Sequence, residues 1–247
     1  MKLVVFMTDY RTWLLFALLP FVGCALNRQA KEMSSPTKAV GDADKPATAK
    51  LHAEMARMLE QTGEMGGAGI HYRKALEISP HDLSAQLGYA KLLVATGKVE
   101  QACGWFERAR QDHPESAGAY NDLGLCYAEC GRSSDALEAL SRAAELKPSE
   151  VRYRNNLAKL LIEAGDDTEA VQQLLAVHPP AVAHYNAGYL LQSQGKRGQA
   201  AEQFRLAAVC DPALLSARRW SSELARREQL ERTTAHVPTR LPKAEVR

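Results

Sequence analysis

The sequence predicts an all-α protein, a solenoid of about five helix–turn–helix units that ends in a C-terminal capping helix. Two observations carry this. The 247 residues are 46% hydrophobic but only 6% aromatic, an alanine- and leucine-rich mixture that favours helix. Punctuating residues also recur at a fixed step: prolines at 80, 114 and 148, and glycines at 63, 97, 131 and 165, are each 34 residues apart. Alanines 68, 102, 136 and 170 keep that step, and Ala75, Ala109 and Ala143 follow the first three by seven residues. The formal charge of +2 comes from 31 basic and 29 acidic residues spread along the chain, so no field for a polyanion is expected and no nucleic acid partner.

Ahead of the repeats, Trp13 to Gly23 ("WLLFALLPFVG") is an apolar run preceded by Lys2 and Arg11. A bilayer span takes roughly 20 apolar residues, so this run has the length of a signal-peptide core. Residues 1–23 are expected to be removed, with translation starting at Met1 or Met7. Phe21-Val22-Gly23-Cys24 resembles the lipobox of bacterial lipoproteins, which are cleaved before a cysteine that becomes diacylated. The resemblance makes Cys24 the lipid-bearing N-terminus, and two or more acyl chains hold a protein stably on a membrane. Ala25 is not the aspartate that favours inner-membrane retention, so the resemblance implies the periplasmic side of the bacterial outer membrane. A secreted or soluble periplasmic protein, or an uncleaved anchor, are the other readings. Residues 24–48 are polar, mixed in charge and broken by Pro and Gly, and are expected to be a flexible tether. A coil of that length reaches roughly 25 to 30 Å.

The recurring residues resemble the tetratricopeptide repeat, in which antiparallel helix pairs stack into a right-handed solenoid. The resemblance covers 49–214 in five units, 49–82, 83–116, 117–150, 151–180 and 181–214. The third is the fullest match, with Tyr120, Leu123, Gly124, Tyr127, Gly131, Ala136, Leu140, Ala143 and Pro148 in family positions. Each has a physical reason. Gly124 and Ala136 sit where the two helices cross, and a larger side chain would force them apart. Gly131 and its equivalents end the first helix in a left-handed cap, and the proline stops the second. Tyr72, Phe106, Leu140, Leu174 and Phe204 fill the seams. After Gly165 the series continues at Gly195, Ala200, Ala207 and Pro212, a step of 30, so the fourth unit has lost about one helical turn between Ala170 and Ala181. One unit cannot bury its apolar face alone, and the array needs an end cover. Residues 215–232 are read as that helix, with Ala217, Trp220 and Leu224 inward, and 233–247 as a disordered tail.

The stretch "AYNDLGLCYAECG" (119–131) puts Cys126 and Cys130 one turn apart on one helix face, as a metal or redox pair or as two small core residues. Cys103, Cys126, Cys130 and Cys210 all fall where the family carries alanine, leucine or isoleucine, so buried core thiols are expected. Ligand spacing for zinc is not present, and no metal is expected. The alternative is a bond from Cys103 to a cysteine of the neighbouring first helix, Cys126 or Cys130. Phosphate-loop, dinucleotide, zinc-protease and serine-elbow motifs are missing from the sequence, and His52, His71, His81, His113, His178, His184 and His236 are scattered. No enzyme, cofactor or small-molecule substrate is expected.

A curved helical stack offers a concave groove lined by first helices. Carried over from the family, the groove positions are Lys50, Arg57, Lys91, Asn121, Arg152, Asn155, Asn156, Lys159, Tyr185, Asn186 and Tyr189. An asparagine amide both donates to and accepts from a peptide backbone, so Asn156 and Asn186 are candidate grips on an extended segment. The lysine and asparagine spacing of the chaperone-tail carboxylate clamp is not matched. "YRNNLAKLLIEAGDDTEAVQQLLAVHPPAVAHYNAGYLL" (153–191) resembles the TadD-type lipoproteins of tight-adherence pilus assembly. That resemblance implies a lipid-anchored periplasmic scaffold for envelope-complex subunits, in pilus biogenesis or secretion. A pilotin-like or outer-membrane-biogenesis adaptor, and a regulator of a periplasmic hydrolase, are the alternatives.

Overall fold

The computed structural model describes residues 45–235, with side chains described as far as Leu230. The segment 1–23 expected to be a signal peptide, the expected lipidation residue Cys24, the part of the expected tether before 45 and the part of the expected disordered tail beyond 235 lie outside the described residues. The described chain is helical throughout, with short turns: α1 (Lys45–Gln61), α2 (Met65–Ile78), α3 (Leu83–Ala95), α4 (Val99–Asp112), α5 (Ala117–Glu129), α6 (Ser133–Leu146), α7 (Val151–Ala164), α8 (Asp167–Leu175), α9 (Pro180–Ser193), α10 (Arg197–Cys210) and α11 (Leu215–Ala235). Successive pairs form five hairpins, each packed on the next, and α11 covers α10. This is an α-solenoid.

Local sequence sets where each helix stops. Gly63, Gly97, Gly131, Gly165 and Gly195 all have positive φ, from 73° to 98°, and turn the chain from the first helix of a unit into the second. Asp82 and Ser116 cap the following first helices, accepting from Ala85 N (2.7 Å) and Ala119 N (3.3 Å). α1 starts at Lys45, inside the stretch read as tether, because Pro46 suits a first turn whose N–H groups have no helical partner. α11 runs on to Ala235, three residues past Arg232, where helical order was expected to end. The fourth unit is short in its second helix: α8 has 9 residues where α2, α4, α6 and α10 have 14. Pro180 then opens α9.

Packing follows the small residues. A Cβ on Gly124 would lie 2.7 Å from Leu140 and 3.1 Å from the Ala136 carbonyl oxygen, so α5 and α6 cross at van der Waals contact of backbones. A Cβ on Gly188 would meet the Phe204 ring at 2.9 Å in the same way between α9 and α10. Tyr72, Phe106, Leu140, Leu174 and Phe204 are buried in the seams. At the C-terminal end Ala217 and Leu224 are buried and Trp220 stacks on Phe204, with centroids 6.0 Å apart and 19° between planes. Polar groups also serve the seams. Gln86 Nε2 donates to the Pro80 carbonyl (2.8 Å) and Arg154 Nε to the Pro148 carbonyl (2.6 Å), two residues 68 apart tying the turn before their own helix.

The cysteines depart from the reading of four core thiols. Cys103 of α4 and Cys126 of α5 are disulfide-bonded, their Cα atoms 5.8 Å apart. The reason lies in the stacking, which sets the second helix of one unit against the first helix of the next, and α4 packs directly on α5. Cys130 is a half-buried free thiol, and Cys210 is exposed because it ends α10 beyond the seam.

Candidate partner-binding groove

First helices of successive units touch one another: α1 meets α3, α3 meets α5, α5 meets α7 and α7 meets α9. No pair of second helices packs to that extent, so the first helices line the inner, concave side. Each contributes one exposed residue at the same repeat position. These are Arg57, Lys91, Leu125, Lys159 and Tyr189, separated by 34, 34, 34 and 30 residues. Tyr189 and Leu125 are large apolar side chains left 55% and 40% exposed. Lys91 reaches inward to Asp122 (2.9 Å), whose carboxylate is only 12% exposed, whereas Arg57 pairs with Glu54 (2.8 Å) and Lys159 with Glu163 (3.9 Å) at the surface. The two exposed pairs, of Arg57 and Lys159, each contribute about 0 to 1 kcal/mol, so little is lost when either cation turns to another carboxylate.

Behind this row runs a continuous polar chain. Lys91 Nζ bonds Asp122, Asn121 Nδ2 donates to Asp122 Oδ1 (3.0 Å), and Asn156 Nδ2 donates to Asn121 Oδ1 (2.8 Å). It crosses from α3 through α5 to α7. Asn121 is only 1% exposed, so it is a spacer between Asp122 and Asn156 and not itself a grip. The half-buried Asn156 is held with its amide nitrogen turned inward. Its equivalent Asn186 on α9 is also half-buried.

Of the other residues assigned to the groove, Asn155 and Tyr185 have inward partners. Asn155 Oδ1 accepts from Nε2 of His178 (2.9 Å), which stands in the turn after the short α8. Burial holds His178 below its ordinary pKa. Tyr185 packs edge-on to Phe204, with centroids 5.4 Å apart. Arg152 is exposed at the start of α7, its guanidinium 5.1 Å over the Tyr153 ring. Lys50 is exposed on α1.

Sequence reasoning missed Leu125 and Asp122. Leu125 was detectable, since it stands 34 residues from both Lys91 and Lys159. Asp122 was harder, because its partner Lys91 sits three repeat positions away in the preceding unit. Among the described residues no helix is long and apolar enough to cross a membrane.

Comparison with known proteins bears on what such a groove belongs to. Family models for the tetratricopeptide repeat match residues 49–82, and 87–149 together with 129–183, more than half of the chain. The chain belongs to the tetratricopeptide-repeat family. Among curated repeat proteins it is 28% identical to anaphase-promoting complex subunit 3 of Schizosaccharomyces pombe over 140 residues, covering 55% of this chain and 21% of that one. It is 35% identical to the peroxisomal targeting signal receptor of Saccharomyces cerevisiae over 103 residues, 42% of this chain and 17% of that one. The chain thus spans about a fifth of the length of these relatives. Among solved structures it is similar to YrrB, described as a repeat protein with an unusual peptide-binding site (27% identity, TM-score 0.54, 74% of this chain and 95% of that one). It shares its fold with pilF of Pseudomonas aeruginosa (19% identity, TM-score 0.56, 77% and 89% coverage). A tetratricopeptide array is a scaffold suited to protein–protein interaction.

Proposed function

We propose that this chain is a lipid-anchored periplasmic scaffold that holds an extended segment of an envelope-complex subunit in its concave groove, in pilus biogenesis or secretion. The observation that carries the binding claim is the exposed row Arg57, Lys91, Leu125, Lys159 and Tyr189. It suits a segment in which carboxylates alternate with apolar side chains. Asn186, and the amide oxygen of Asn156, whose nitrogen is committed to Asn121, are the groups assigned to the backbone of such a segment. The similarity to YrrB supports peptide binding, since that protein is described by its peptide-binding site. The envelope setting rests on the lipobox resemblance at Cys24 and on the TadD-type resemblance of 153–191.

Crosslinking in the native envelope followed by mass spectrometry, with Cys24→Ser as a second arm, tests both halves. Crosslinks to secretin or pilus subunits, and release of the Cys24→Ser variant from the membrane with its helix content intact, are expected. Membrane association unchanged in that variant contradicts the lipid anchor. Crosslinks confined to hydrolases contradict the assembly role and favour a regulator of such an enzyme.

A further inference from the structure

Independently of the groove, three cysteines meet at the α4–α5 seam. Among the described residues Cys103, Cys126 and Cys130 form a group whose sulfurs all lie within 4.8 Å of one another. Two of them are bonded, and the Cys130 thiol, 3.6 Å from Cys103 Sγ, is the donor of that contact. Cys126 is 2% exposed and touches the Val99 carbonyl, whereas Cys130 is half-buried and is the C-cap residue of α5. Cys126 and Cys130 occupy one helix a turn apart, so Cys103 is the sulfur that either can reach from across the seam.

We propose that the three form a thiol–disulfide exchange site, in which the bond from Cys103 moves between buried Cys126 and half-exposed Cys130. Cys130 loses its proton to solvent and its thiolate attacks Cys103 Sγ. The Cys103–Cys130 bond forms, the Cys103–Cys126 bond breaks, and the electron pair of the broken bond leaves on Cys126 Sγ, which takes up a proton. Nothing is oxidised or reduced overall, so no co-reactant is needed. The sulfurs form a triangle and not a line, so displacement requires rotation of the Cys130 side chain about χ1. Its place at the end of α5, with no helical turn following, allows this. The consequence is access. In the first pairing the bond is sealed in the seam, and in the second the Cys130 sulfur faces the surface, where an external dithiol can attack it, displacing Cys103 as a thiolate, and then close to its own disulfide, expelling Cys130 as a thiolate, so that the dithiol is oxidised and the pair reduced.

The test uses Cys126→Ser and Cys130→Ser in a Cys210→Ser background, each treated with oxidised glutathione, unfolded in acid, alkylated and cut with chymotrypsin, which separates positions 126 and 130 after Tyr127. Cys126→Ser is expected to show a Cys103–Cys130 bond, and Cys130→Ser the Cys103–Cys126 bond. If Cys103 and Cys130 of folded Cys126→Ser both stay alkylatable under oxidation that fully pairs the parent, the proposal fails. Should Cys126→Ser lose its helical circular dichroism, the rate at which dithiothreitol reduces the folded parent decides. Removing Cys130 is expected to slow that reduction about tenfold, since the thiolate relay to the surface is gone. An equal rate in Cys130→Ser overturns the exchange site.

Discussion

Two glycines separate packing from conformational freedom. Gly124 has no room for a methyl group, because the Ala136 carbonyl oxygen at 3.1 Å belongs to backbone that cannot turn aside. Gly104, in the middle of α4, has nothing within 4 Å of the position a Cβ would take. Gly124→Ala is therefore expected to lower the urea-unfolding free energy by about 1 to 3 kcal/mol, and Gly104→Ala to raise it by about 0.5 to 1 kcal/mol through lost unfolded-state entropy. A gain at Gly124 would contradict the crossing geometry. The first of these roles was readable from the 34-residue step, since a small residue recurs wherever two helices cross. Burial of a polar residue was not. Asn121 reads as a groove residue by its repeat position, and only the Asn156 amide from the next unit reveals it as an internal spacer. The cysteines were legible in part: core thiols were the preferred reading, but the alternative of a bond from Cys103 to Cys126 or Cys130 is met by the Cys103–Cys126 disulfide, and spacing alone could not choose between the two partners.

At the scale of the element, the shortened fourth unit has to be secured to its neighbours by other means. Lys196, from the turn of the fifth unit, reaches back to the Ile162 carbonyl (2.9 Å) and Asp167 (2.7 Å), satisfying the end of α7 and the start of α8 together. Lys196→Ala is expected to cost about 1 to 2 kcal/mol in urea unfolding, as a partly buried charged hydrogen bond does. No loss would mean that α8 is held by apolar contacts alone. Acid should loosen the array at defined places. Burial holds His178 below its ordinary pKa, and burial, with His71 and Lys74 beside it, does the same for His52. Both rings are thus favoured neutral in the fold, so their contribution is present above about pH 6.5 and is lost as pH falls below it. Asp112 is held low by the Gln86 amide and then by His81, and its contribution is lost at lower pH, as the carboxylate is protonated. The urea midpoint should fall from pH 7 to pH 5, and His178→Gln, which keeps a donor for Asn155, should shrink that fall. An unchanged slope in the variant contradicts a neutral His178. The lost turn was legible in the change of step from 34 to 30, but the bond between His178 and Asn155 beside it was not, because nothing in spacing says which side chains meet.

The described residues form a one-dimensional stack whose units depend on their neighbours and whose ends need covers, which α11 supplies at one side through Ala217, Trp220 and Leu224. That architecture was readable from the sequence almost entirely, since the period, the capping glycines and the turn prolines all state one fold. The proposed binding face was readable only as a row of positions. Which of them stay exposed is decided by contacts between units, and these took Asn155 and Tyr185 inward while leaving Leu125 in the open. The most direct test of the groove places a photo-crosslinking amino acid at positions 125, 159 and 189 on the first helices, and at the exposed second-helix positions 104 and 138, in cells that contain the partner. Partner crosslinks from 125, 159 and 189, with none from 104 and 138, are the expected result, and crosslinks from the second-helix positions alone would contradict it.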